Sequence, residues 1–332
     1  MPLIGDGNYG CVFRPHVKCK DKSKKHANAV SKVFVDVSDY DSELSIARKV
    51  ESEIDPSHDF TLPLLNSCRV SLTTTDKPES CGLIKGDYHT KDFQQLIYKY
   101  GGKSLKDILK TKGTIKKLVR ILAGFKPVLQ GIERIGKAGY VHQDIKPHNL
   151  LNKGSKIFLI DFGIMSRMDN IFAPHNKHVL GYDYPYYPPE YKLYVHSRSL
   201  NTFFIKVMQN YHFNFEINGK NVDMLAEMSR IGIDYRKELT EVFGLKKGCF
   251  LPNKIDTFSI GFVILELFIW SGLSNKIMKN NTATKRLRTE LEVFLRGVLC
   301  FNSIQRFTIS QALEQFDKVL VEVRCISSRT QK

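Results

Sequence analysis

Residues Val141 to Leu150 read V-H-Q-D-I-K-P-H-N-L and place a carboxylate (Asp144), an ammonium (Lys146) and a carboxamide (Asn149) in one short polar loop between apolar segments. A base for a hydroxyl proton, a cation and a metal ligand are the parts that phosphoryl transfer needs. That reaction asks a protein for positioning and charge neutralisation more than for covalent chemistry. Twelve residues beyond Asn149, the run L-I-D-F-G puts a second carboxylate, Asp161, after the strand-like stretch from Ile157 to Ile160. A metal carboxylate at that distance makes the loop a specific signal.

Other residues suit the nucleotide end of such a reaction. Gly5, Gly7 and Gly10 fit G-x-G-x-x-G, a pattern shared with dinucleotide-binding folds. A dinucleotide fold requires a helix directly after the glycines, but Cys11-Val12-Phe13 is β-prone and Pro15 opposes a helix. The glycines therefore read as a turn between strands, whose backbone N–H groups can lie over phosphates. Lys32 interrupts the alternating run A-V-S-K-V-F. Downstream, apolar residues at 40, 44, 46, 47 and 50 predict an amphipathic helix carrying Glu43, which can reach Lys32; Glu51 and Glu53 are its rivals.

Segments rich in short strands extend to Tyr100, and the pattern turns helical after Gly101-Gly102, which predicts a boundary near residue 101. A short helix is expected over 104–110 and one long helix over 114–138, ended by Gly139. His142, flanked by Tyr140 and Val141, reads as a core hydrogen-bonding residue rather than a base. The most apolar run, Phe258 to Trp270, contains Glu266 and is too short for a membrane span, so a buried helix is expected there. No secretory signal is expected either, since Met1 leads straight into a patterned strand.

Lys and Arg exceed Asp and Glu by 16, which favours anionic partners such as nucleotides, acidic peptides or nucleic acid. Lys18, Lys20, Lys22, Lys24 and Lys25 crowd one polar loop, expected to be a solvated hairpin tip. The seven cysteines are odd in number and form no C-x-x-C pair. The expectation is therefore no zinc site, no disulfide framework and a reducing, intracellular setting.

The glycine flap with Val12, then Lys32, Glu43, H-Q-D-I-K-P-H-N and D-F-G, resembles the signature set of the protein kinase superfamily, serine/threonine type, in its usual order. Tyr187-Pro188-Pro189-Glu190 resembles the A-P-E motif. The run from Ile255 with Asp256 resembles the buried helix of the larger lobe, and Arg306 resembles the arginine that pairs with the A-P-E glutamate. The likeness runs from residue 3 to about 320. The flap and Y-P-Y-Y-P-P-E are also similar to serine/threonine kinases of large cytoplasmic DNA viruses.

The resemblance implies an α+β, bilobal fold. Residues 1–100 would form a small β-rich lobe with one main helix, and residues 101–332 a larger, mainly helical lobe. It implies ATP and Mg2+ as cofactors, with Asp144 and Lys146 catalytic and Asn149 and Asp161 on the metal. Ile4, Gly5, Gly7, Gly10, Val12, Lys32, Glu43, Tyr98 and Tyr100 would bind the nucleotide. A protein substrate with a serine or threonine acceptor would be the partner, with nucleic acid secondary and no membrane span; the basic excess, rather than the resemblance, is what points to an acidic substrate. The protein would be intracellular and cytoplasmic, in host cytoplasm or a virion if viral. The alternatives are a pseudokinase that only binds nucleotide or partner, and a basic nucleic-acid-associated protein with secondary kinase activity.

Three departures from the family pattern stand out. Gln143 replaces the arginine before the catalytic aspartate, which commonly receives an activating phosphate, so activity without that switch is expected. Asp183 stands where a threonine often occurs. Sixty-five residues separate Glu190 from Asp256, and helix-like stretches at 200–211 and 222–231 predict a folded insertion over about 191–254.

Overall fold

The computed structural model describes residues 3–6, 10–21, 26–76, 78–84, 88–171, 184–191, 214–235, 237–238, 240, 251–275 and 282–329. The fold is mixed α+β. The chain divides into two compact units, Met1–Gly102 and Lys103–Lys332.

The first unit is built on a five-stranded sheet in the order β1-β2-β3-β5-β4, from β1 (Leu3–Asp6), β2 (Gly10–Phe13), β3 (Ala29–Phe34), β4 (Leu64–Ser71) and β5 (Asp92–Lys99). All its pairings are antiparallel. Side chains alternate between faces along a strand. Val33 accordingly joins Cys11, Phe13, Val70 and Phe93 in a buried cluster, while Lys32 takes the opposite face. Helix α1 (Val37–Lys49) is capped by Asp36, whose side chain accepts from Ser38 N. Its Tyr40 packs with Phe34 and Leu96. Gly10 sits where an added Cβ would lie 2.6 Å from the carbonyl oxygen of Val33, so strand β2 approaches β3 only with glycine there.

Two disulfides cross this unit, Cys11–Cys81 and Cys19–Cys68, with Cα atoms 6.1 and 5.8 Å apart. They correct the expectation drawn from cysteine spacing. Each bond ties one strand residue, Cys11 on β2 or Cys68 on β4, to a residue outside the strands, and sequence spacing does not carry which segments the fold brings together. The argument for a reducing setting falls with it. Closing loops of 70 and 49 residues is worth about 4 kcal/mol per bond. Dithiothreitol, or the double variant Cys19→Ser/Cys68→Ser, is expected to lower the melting temperature; superimposable melts with and without reductant would refute the pairing.

In the second unit, α2 (Leu105–Leu109) is followed by α3 (Ile115–Ala123) and α4 (Lys126–Lys137). The single long helix expected over 114–138 is therefore two. A Cβ at Gly124 would lie 2.4 Å from the Ser155 carbonyl oxygen, so the chain approaches that loop closely here. Pro127, in the first turn of α4, starts the new helix at a point where its missing N–H costs nothing. Short strands β6 (Lys103–Ser104), β8 (Leu150–Lys153) and β9 (Lys156–Leu159) form one sheet, and β7 (Tyr140–Val141) pairs with β10 (Ser166–Arg167).

The insertion contributes a hairpin, β11 (Asn214–Ile217) and β12 (Lys220–Asp223), then α5 (Met224–Arg230). The helix read over 222–231 begins only after Asp223, whose carboxylate accepts from Leu225 N and Ala226 N; residues 200–211 lie outside the described residues. At the hairpin turn Asn218, with φ 55°, donates to the carbonyls of Leu109 and Trp270 and accepts from Gly113 N. The hairpin is thus fastened to the unit's core. Helix α6 (Ile255–Trp270) is buried at every position except Ile269, which accounts for its largely apolar sequence; of its polar residues, Asp256, Ser259 and Glu266 are buried with hydrogen-bond partners. Helices α7 (Thr282–Val298) and α8 (Ile309–Arg329) follow. Among the described residues no helix is long and apolar enough to cross a membrane.

Candidate active site

The polar loop between β7 and β8 is held from below by one buried carboxylate. Asp256, in the first turn of α6, accepts from His142 N at 2.7 Å and Gln143 N at 3.0 Å. This grip holds Gln143 in the left-handed region, at φ 66°. His142 is fully buried; its Nδ1 accepts from Asp144 N at 3.2 Å and its ring meets Phe162 edge-on. Desolvation holds the imidazole below its ordinary pKa.

The carboxylate of Asp144 is engaged on both oxygens. Oδ2 accepts from Asn149 Nδ2 and from Lys146 Nζ, each at 2.8 Å, and Oδ1 accepts from the Tyr184 hydroxyl at 2.5 Å. Asn149 Nδ2 also reaches the Asp144 carbonyl at 2.9 Å. Its amide nitrogen is thus committed to Asp144, so its side-chain oxygen is the atom suited to a cation. Asp161 follows β9 and has φ 64°; just before it, Ile160 N donates to the Asn149 carbonyl at 3.0 Å. That bond brings the two segments carrying Asn149 and Asp161 side by side.

In the first unit Lys32 and Glu43 form an ion pair with both side chains largely buried. Glu43 is the carboxylate that Lys32 meets. Glu51 accepts from Leu64 N, and Glu53 pairs with Lys49. Val12 lies opposite Lys32 in the β2–β3 register, so the two share a sheet face. Ile4 and Gly5 lie on β1, with Ile4 half exposed, and Gly7 lies outside the described residues. Tyr98 packs against the cluster of Phe34, Tyr40 and Leu96, and Tyr100 lies under the Arg14 guanidinium, 3.5 Å from its ring centre. Of the lysines in the basic loop, Lys20 pairs with Asp92, and 22–25 lie outside the described residues.

Residues 1–199 match the model of the protein kinase domain. The chain belongs to the protein kinase family. It is 37% identical over 101 residues to a probable serine/threonine-protein kinase of Clostridium perfringens, covering 30% of this chain and 14% of the relative. Cyclin-dependent kinase 7 of Dictyostelium discoideum is 24% identical over 52% of this chain and 43% of its own length. A probable serine/threonine-protein kinase of fowlpox virus is 27% identical over 54% of this chain and 56% of its own. The chain thus spans between about a seventh and just over half of the length of these curated relatives.

The kinase-domain match ends before Asp256 and Arg306, yet Asp256 holds the loop and Arg306 holds Glu190, the neighbour of Tyr191. Arg306 makes a bidentate pair with Glu190, at 2.6 and 3.0 Å. Gln143, in place of the family's arginine, is fully buried; its Nε2 donates to the Ile164 carbonyl at 2.9 Å, and its Oε1 accepts from the Tyr191 hydroxyl at 2.8 Å. A neutral carboxamide thus joins residues from both sides of the 172–183 stretch. Asp183 lies outside the described residues. Sequence reasoning missed Tyr184, because its role depends on reaching back 40 residues to Asp144.

Sequence reasoning also missed a role for Glu266, which accepts from the Tyr186 hydroxyl at 2.7 Å. Burial pushes its carboxyl up to about 7, against the opposing effect of that hydrogen bond. A raised folded-state pKa stabilises the fold below the unfolded value and withdraws that stability as pH rises through about 7. The loss is about 3 kcal/mol for a shift of this size. Urea unfolding from pH 5 to 8 is expected to show this decline and Glu266→Gln to flatten it; an equally steep decline in the variant would refute the assignment.

Proposed function

We propose that this chain is an ATP-dependent serine/threonine protein kinase, transferring the terminal phosphoryl group of ATP to a protein hydroxyl. The observation that carries the reading is the Asp144 carboxylate held by Asn149 and Lys146 in a loop anchored on Asp256. That carboxylate is fixed before any acceptor arrives, and pre-orientation is where such a reaction gains most.

In this reading Asp144 orients the acceptor hydroxyl and takes its proton. The hydroxyl oxygen bonds to the terminal phosphorus, the bond to the bridging oxygen breaks, and ADP leaves. Lys146, beside Asp144, offsets negative charge on the group in transit. Lys32, steadied by Glu43, serves the α and β phosphates. The side-chain oxygen of Asn149 and the carboxylate of Asp161 would hold magnesium, an oxygen-only donor pair that suits a hard cation. Magnesium, when bound, neutralises phosphate oxygens.

The excess of 16 basic residues favours an acidic acceptor sequence. Incubation with labelled ATP, magnesium and a peptide library tests the whole reading. Phosphate is expected on serine or threonine, with acidic neighbours enriched. A clean preparation that binds ATP yet phosphorylates no peptide would sink the reading and favour a binding role.

A further inference from the structure

Among the described residues, Tyr184 is a donor to Asp144 to which sequence reasoning assigned no role. Its hydroxyl takes Oδ1 while Asn149 and Lys146 take Oδ2. Two donors from its own loop and a third from 40 residues further on therefore stop the carboxylate from rotating. The tyrosine is itself held: its ring centre lies 4.8 Å from Tyr187 and 5.4 Å from Tyr186, with Lys146 Nζ 5.9 Å away. Burial, then the negative charge of Asp144, pushes the phenol well above its ordinary pKa, so the group stays a donor throughout the working range. A carboxylate oxygen has two lone-pair directions, so Oδ1 keeps one for a second hydroxyl.

We propose that Tyr184 is a positioning residue for the phosphoryl acceptor, locking the Asp144 carboxylate so that the remaining lone pair of Oδ1 meets the incoming hydroxyl. This rests on the phosphoryl-transfer reading above. A purely structural tyrosine would act through its ring, which is packed among aromatic neighbours; a positioning tyrosine acts through its hydroxyl. Tyr184→Phe separates the two because it keeps the ring.

The expected result is a kcat for peptide phosphorylation lowered by about 10- to 100-fold, less than the roughly 10²- to 10³-fold for a donor that faces the reacting atoms because Tyr184 acts through Asp144, with KM for ATP within about twofold of wild type. Because the hydroxyl works through Asp144, the double variant Asp144→Asn/Tyr184→Phe should be no slower than Asp144→Asn alone. Wild-type kcat in Tyr184→Phe, a faster variant, or losses that multiply in the double variant would each overturn the proposal while leaving the kinase reading intact. A wild-type protein that transfers phosphate to no hydroxyl would overturn both. Proton NMR of the wild type gives a readout independent of turnover and of whether Tyr184→Phe folds. A hydroxyl proton downfield of the amides is expected, and it should vanish in Asp144→Asn. Its absence from wild type would overturn the contact itself.

Discussion

Asp161→Asn should keep the fold and lose phosphoryl transfer by on the order of 10²- to 10³-fold, the usual cost of removing one fixed electrostatic element. Asp161 sits at φ 64°, a backbone region that asparagine adopts more readily than almost any other side-chain-bearing residue. The substitution thus removes charge without disturbing the turn. Asp144→Asn should lose on the order of 10²- to 10⁴-fold, the range for a general base. It is the less clean variant, because among the described residues the carboxylate's hydrogen-bond and ion-pair partners are donors: Asn149 Nδ2, Lys146 Nζ and the Tyr184 hydroxyl. An amide NH2 must face at least one of them, which should cost about 1–3 kcal/mol of stability. Turnover with labelled ATP and thermal melts should be measured on both variants. Near wild-type turnover in a folded Asp161→Asn protein would remove Asp161 from the mechanism.

What could be read in the sequence follows from how local each constraint is. The loop from His142 to Asn149 was legible because its chemistry requires particular side chains at fixed spacing, and Asn149 does bond back to Asp144 within five residues. Lys32 was legible by strand alternation, and Glu43 by helical period. The break between α3 and α4 was not, although Pro127 offered a helix-start signal. The close approach of the Ser155 loop to Gly124 is a tertiary fact. The disulfides were misread for the same reason, since Cys11 meets Cys81 only once the sheet has formed. The hairpin of 214–223 was legible in principle, since Asn218-Gly219, at φ 55° and 69°, is a local two-residue turn signal that the helical reading passed over; only its fastening to Leu109, Gly113 and Trp270 is a tertiary fact. Tyr184 was hidden because the family pattern draws attention to position 183, and a one-residue offset changes which side chain reaches the carboxylate.

Arg306→Met should destabilise the second unit by about 3–5 kcal/mol, the cost of leaving a buried charge without its partner. Glu190 would lose both arms of its guanidinium clamp. The carbonyls of Cys300 and Phe301, which accept from Arg306 Nε and Nη2, would lose their donor as well. Lys254 cannot step in, because its ammonium is already committed to the carbonyls of Ser303, Ile304 and Arg306. Arg306→Lys should recover little, since an ammonium cannot span both carboxylate oxygens and a carbonyl in one plane. Removing both charges with Glu190→Leu/Arg306→Met should cost clearly less than the sum of the single variants, because no lone charge stays buried. Urea unfolding of all three measures the coupling, and strict additivity would show that the pair contributes nothing as a pair. The effect should extend to turnover. Glu190 lies next to Tyr191, which bonds Gln143, and six residues after Tyr184, which bonds Asp144. Freeing Glu190 loosens the segment that steadies the catalytic loop, so kcat in Arg306→Met should fall well below wild type at temperatures where the protein is still folded.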